Sequence, residues 1–186
     1  MAYIYANPAD ATTLPANDAN AQIVGYSSQD GFFYRLGQSV TVLANDKITG
    51  LGFALRKDGV PDSAGFTFRI ETDNAGDPSG TLYHANLTAT YAAIANGAWA
   101  WRDVVFTETT ITADTTIWLI AKYTSETGTV VGVYGNNGGN SFAGGVGKRY
   151  SSNSGLWTGS ADWDFRLVGT PAPAIAVKNK NRSFFM

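Results

Sequence analysis

Residues 71–88, ETDNAGDPSGTLYHANLT, gather Glu71, Asp73, Asp77, two asparagines and His84, the single histidine of the chain. Oxygen and imidazole groups at this density are the raw material of a cation loop or of proton transfer. The spacing does not fit the best-known calcium loop, which takes oxygen ligands at alternate positions and a bidentate glutamate at its twelfth. Counted from Asp73, the third position is Ala75 and the twelfth is His84. Asp73 and Asp77, completed by backbone carbonyls, form a looser calcium candidate. The competing reading is a chain of turns, because Asn74, Gly76, Asp77, Pro78 and Gly80 each favour turn backbone for their own reason, and it is the one adopted here.

Other constellations fail on similar grounds. With no cysteine and one histidine, only carboxylates could complete a metal site around His84. The sequence holds no GxSxG elbow to place a serine beside that histidine, and His84 reads as a surface residue. Asp162 and Asp164 in DWDFR would stand about 7 Å apart on one face of a strand, a separation that suits a pair of glycosidase carboxylates. Arg166 follows on the same face, so the simpler reading is a solvated row of paired charges. GVGKRY lacks the earlier glycine and the Ser or Thr of a phosphate loop. No catalytic residue and no cofactor are expected.

What remains is aromatic. Tyr134, Asn136, Asn137, Tyr150 and Trp157 lie in or beside the glycine-dense GNNGGNSFAGGVG, and exposed rings with nearby amides could hold a sugar. The opposing reading is that aromatics simply fill a β core, as Trp118 and Trp163 are expected to do.

These residues must be positioned by strands. FTFRIET puts Phe66, Phe68 and Ile70 on one face, and LGFALRK aligns Leu51, Phe53 and Leu55. In TTIWLIAKY both faces are apolar, Ile117, Leu119 and Ala121 opposite Trp118, Ile120 and Lys122, which predicts a central strand. Only the alanine-rich YAAIANGAWA admits a short helical turn. Turn signals separate eight or more such runs, with no crossover helices, so the expected fold is all-β, an antiparallel sandwich or barrel. The boundaries predicted are an extended arm at 1–22, a sandwich domain at 23–170 and a tail at 171–186.

Composition agrees. A chain of 186 residues can bury about 70% of its extended surface without disulfides. Thirteen Lys and Arg against 15 Asp and Glu give a formal net charge of −2, so the main body lacks the basic excess of a nucleic-acid binder. No apolar run approaches the ~20 residues of a membrane span, and no charged-then-apolar segment opens the chain. The expectation is a soluble protein without an ordinary secretion signal.

Residues 40–169 resemble a jelly-roll module of bacteriophage virion proteins and bacterial surface proteins. The resemblance rests on TGLGFALRK, FRIETDNAGDPSGTLYHA, WRDVVFTETTITADTTIWLIAKYT and DWDFRLVG. It implies a non-enzymatic adhesion, glycan-binding or decoration domain and carries no site residue with it. A start at Met1 without signal or anchor favours the virion setting, a capsid decoration or fibre-type subunit in several copies. Tyr3, Ile4 and Tyr5 in the arm, and Lys178, Lys180, Arg182, Phe184 and Phe185 in the tail, are the expected docking residues toward a major capsid or tail protein. The alternatives are a carbohydrate-binding module using the aromatic and Gly/Asn-rich loop, and a carboxylate hydrolase.

Overall fold

The computed structural model describes residues 2–7, 14, 21–23, 25–27, 32–57, 66–91, 97–123, 133–136 and 142–173. Among them the strands are β1 Tyr3–Asn7, β2 Ala21–Ile23, β3 Gly25–Ser27, β4 Phe32–Val42, β5 Lys47–Lys57, β6 Phe66–Asn74 and β7 Asp77–Leu82. The chain continues with β8 Thr88–Tyr91, β9 Gly97–Thr110, β10 Thr115–Tyr123, β11 Val133–Asn136, β12 Gly147–Ser151, β13 Leu156–Ser160 and β14 Phe165–Thr170. No described residue is helical. The alanine-rich stretch contributes the end of β8 and the start of β9, and residues 92–96 between them lie outside the described residues.

All pairings are antiparallel and form two sheets. In sheet I, β5 is flanked by β9 along one edge and by β14 along the other, with β1 outside β14. Leu55 and Lys57 each pair with both β9 and β11, so β11, followed by β2, replaces β14 along the far end of β5. Sheet II runs β13–β12–β4–β10–β6, and β7 and β8 share the outer edge of β6. The expected central strand is found as such, since β10 lies between β4 and β6.

One core lies between the sheets. The alternating faces read from sequence meet there: Leu51, Phe53 and Leu55 from sheet I pack with Phe66, Phe68, Ile70, Ile117 and Leu119 from sheet II. Phe53 and Phe68 close the contact edge to face, ring centroids 5.5 Å apart. Trp163, Phe165 and Leu167 are buried as expected.

The aspartates between them are not a solvated row. Asp164 is 3% exposed, and residues 161–164 are irregular rather than extended. Buried Gln38 accounts for this geometry. Its amide donates to Asp162 Oδ1 at 3.0 Å, and its carbonyl accepts the Trp163 amide at 2.9 Å, while Asn7 donates to the Trp163 carbonyl at 3.1 Å. Arg166 pairs elsewhere, with Asp103 across β5. Trp118 is buried as expected, 1% exposed, on the face of β10 opposite Ile117 and Leu119, with its indole donating to Asp73 at 2.7 Å.

The outer face of sheet I depends on a glycine. A Cβ on Gly52 would stand 2.0 Å from Asp103 Oδ1 and 3.1 Å from Arg166 Cγ, so the bare backbone leaves room for the Asp103–Arg166 pair to span β5. Arg166 lies over the Trp101 ring at 4.6 Å and the Tyr3 ring at 5.3 Å, tying β1 to the sheet.

Tyr5 makes a second tie, donating to buried Asp46 at 3.0 Å. Burial first, and then the hydrogen bond to Asp46 and its charge, push the phenol from its ordinary 10.0 up to about 12. A phenol that holds its proton more tightly when folded contributes stability fully below its unfolded pKa and loses it as pH climbs through the folded one. Urea unfolding of the wild type should therefore weaken between about pH 10 and about pH 12 more steeply than that of Tyr5→Phe. Coincident pH curves would remove Tyr5 from the alkaline limb.

Candidate functional site

The outer face of sheet II is built in rows, because residues two apart on each strand share a face and register aligns them across strands. One row reads Trp157, Tyr150, Arg35, Lys122 and Thr67 from β13 to β6. The next reads Gly159, Lys148, Gly37, Ile120 and Arg69. A third begins at Ser39 and continues through Trp118 to Glu71. This face is not uniformly covered. A groove of about 240 Å³ opens in it, lined by Arg35, Arg69, Glu71, Ile120, Lys122, Trp157 and the β7 segment Pro78–Gly80.

Each wall has a local cause. Trp157 leans across from β13 because β4 has no side chain beneath it: a Cβ on Gly37 would meet Trp157 Cζ3 at 3.0 Å and Ile120 Cδ1 at 3.1 Å. Tyr150 supports the indole, ring centroids 5.5 Å apart, and Arg35 lies over Tyr150 at 4.7 Å. The opposite wall is the β6–β7 hairpin, which turns at Ala75 and Gly76 with φ of 53° and 87°. Glu71 fixes that wall by accepting the Gly80 amide at 2.7 Å, and Arg69 donates to the Gly80 carbonyl at 2.8 Å. Arg69 and Glu71 are themselves paired at 2.9 Å.

The carboxylates of the hairpin serve its structure. Asp73 accepts the Trp118 indole on Oδ1 and the Gly76 amide on Oδ2, and Asp77 pairs with Lys148. Lys148 also lies over the Trp118 ring at 5.7 Å. Among the described residues no three His, Cys, Asp or Glu side chains cluster to hold a metal ion. His84 is exposed and accepts the Asn86 amide at 3.2 Å.

No protein-family model, curated protein or solved structure matches the chain. What the site can do must be read from its own chemistry. It presents an aromatic wall, an apolar floor at Ile120, three cations, one carboxylate and the polar edge of a hairpin. Such a surface orients a ligand that has an apolar face and hydrogen-bonding edges.

The sequence candidates divide between the sheets. Tyr150 and Trp157 stand together at the groove, on the β12–β13 hairpin rather than in the glycine-dense segment. Tyr134 and Asn136 belong to β11 of sheet I, and their side chains, like Asn137, lie outside the described residues. Tyr3, Ile4 and Tyr5 lie in β1, where Ile4 and Tyr5 pack against the core. Lys178, Lys180, Arg182, Phe184 and Phe185 lie outside the described residues. Arg35, Gly37, Lys122 and Arg69 were not singled out from sequence. The signal that could have found them is Gly37, a glycine in the interior of a strand, which marks close approach of another group.

A second, polar notch of about 180 Å³ is lined by Gln22, Arg149 and Thr158–Ala161. There Arg149 donates to Gln22 at 3.0 Å and lies over Tyr34 at 4.6 Å, bridging β12 of sheet II to β2 of sheet I. Its arginine serves the sandwich itself.

Proposed function

We propose that the chain is a non-enzymatic recognition module that binds carbohydrate in the groove of sheet II. The observation that carries this reading is Trp157 standing over the Gly37–Ile120 floor with charged and polar groups around it. A pyranose ring has a C–H face that stacks on an indole and hydroxyl edges that need donors and acceptors, which is the combination this groove offers. A glycan array with the wild-type chain, followed by NMR of the Trp indole N–H signals during titration, tests it. Retention of a glycan with movement of the Trp157 signal is expected. No retained glycan, or a response confined to other tryptophans, sinks the reading.

A second reading concerns the setting. Strand β9 spans Gly97–Thr110 and pairs only with β5 among the described residues, while its Val105 is 69% exposed. A long open edge that also carries an exposed valine favours association with other chains. Together with the sequence resemblance, this supports a jelly-roll virion subunit, a capsid decoration or fibre-type protein in several copies on a major capsid or tail protein. Electron cryomicroscopy of particles from the source should place it at regular positions. Purified particles without it would leave a free binding module.

A further inference from the structure

The groove has two unlike ends. In the row at its mouth, Trp157, Tyr150, Arg35, Lys122 and Thr67 are all partly exposed. In the row at its other end, Ser39, Trp118 and Glu71 are each 5% exposed or less, although they too belong to the outer face. A strap covers them. Lys148 leaves β12, brings its ammonium to 5.7 Å from the centre of the Trp118 ring, and donates to the Gly76 carbonyl and to Asp77 at the tip of the β6–β7 hairpin. It thereby crosses β4 and β10, the two strands that separate β12 from β6. The hairpin is held from beneath as well, by the Trp118 indole on Asp73 and by the Gly80 amide on Glu71. Next to the strap, Pro78 is buried and lines the groove, so the space that opens beside Arg35 and Lys122 ends against the hairpin. Its volume of about 240 Å³ lies below the ~300–1,000 Å³ of sites that take drug-sized ligands, which is room for one sugar ring rather than a run of them.

Resting on the glycan reading above, we infer that the groove receives the free end of a glycan chain, its terminal ring on Trp157, and that the hairpin strapped down by Lys148 is the wall that excludes an internal segment. An internal residue carries sugar on both sides and needs a cleft open at both ends. A terminal residue needs one exit, and the partly exposed row supplies it.

The test uses the whole chain on an array of mono- to tetrasaccharides tethered through their reducing ends, so that only non-reducing ends are free. Retained glycans should share their terminal residue, and extending one of them by a different sugar should cut its affinity about tenfold or more. By calorimetry, the methyl glycoside of that terminal residue should bind within about threefold of the longest retained oligosaccharide, because one ring makes the contacts. Lys148→Ala removes the strap and should gain retention of the same sugar in an internal position. Lys148 and Asp77 are both partly exposed, so the variant should melt close to the wild type, and a melting curve checks that it folds. Equal retention of terminal and extended forms by the wild type, or a methyl glycoside about thirtyfold or more weaker than the oligosaccharide, overturns the chain-end inference while the glycan reading stands. A folded Lys148→Ala with the wild-type profile overturns the strap as the cause of the end wall. Retention of no glycan overturns the glycan reading itself.

Discussion

Asp46→Ala is expected to cost the fold about 3–5 kcal/mol, because it leaves three donors without their acceptor at about 1–3 kcal/mol each, the exposed ones counting least. Asp46 is 1% exposed and accepts three donors from different parts of the chain. Tyr5 reaches it from β1 at 3.0 Å, the Leu43 amide from the β4–β5 turn at 3.0 Å, and the Ala172 amide from beyond β14 at 2.7 Å. Its own backbone is tied as well, its carbonyl accepting the Ile111 amide at 2.8 Å. Alanine would leave a hydroxyl and two amides without their acceptor. Tm should fall by roughly 6–20 °C, given about 2–4 °C per kcal/mol for a chain of this size. Asp46→Asn keeps one acceptor oxygen and should lose distinctly less. Urea denaturation decides the matter: a loss under about 1 kcal/mol would mean that water replaces the carboxylate at no great cost.

On the proposed glycan reading, Trp157→Ala is expected to weaken binding by about 30–150-fold, the scale of an interface anchor worth ~2–3 kcal/mol. The indole is half-buried over Gly37 and belongs to no part of the main core, so its loss should move Tm far less than that of Asp46. The complementary variant, Gly37→Leu, keeps the indole and fills the floor. With a Cβ already 3.0 Å from Trp157 Cζ3 and 3.1 Å from Ile120 Cδ1, the added side chain must displace the wall. Both variants should lose binding, for opposite reasons. Wild-type affinity in Trp157→Ala would place the ligand elsewhere.

The sheets were largely legible because burial imposes a period of two, and Leu51, Phe53, Leu55, Phe66, Phe68 and Ile70 obey it. The reading failed where polar groups interrupt the period. DWD continues the alternation on paper, yet the hydrogen bonds of Gln38, 124 positions before Asp162, hold it in an irregular path. Local pattern carries no trace of a partner that distant. Trp118 was legible as a buried aromatic, but not the Lys148 that lies over its ring, since that contact joins strands far apart in the chain.

The groove was half legible. Trp157 and Tyr150 attract notice as aromatics near glycines, but Arg35 and Lys122 become their neighbours only through the registers of β12 with β4 and of β4 with β10. Register between strands so far apart in the chain is fixed by the whole core. Tyr134 and Asn136, close in sequence to the same glycines, were assigned by their strand pairing to the other sheet.

Strand β1 pairs with β14, Tyr5 opposite Leu167 and Asn7 opposite Phe165, and the Gly169 amide donates to the Ala2 carbonyl at 3.1 Å. Among the described residues β1 has no other strand partner, so its pairing waits for a segment more than 150 positions further along the chain. Sheet I therefore closes through one of the most non-local pairings a chain can make, and closures of this kind are slow. A nascent chain halted before Phe165 would carry Tyr3–Asn7 as an unpaired strand, exposed to other chains on the same polysome.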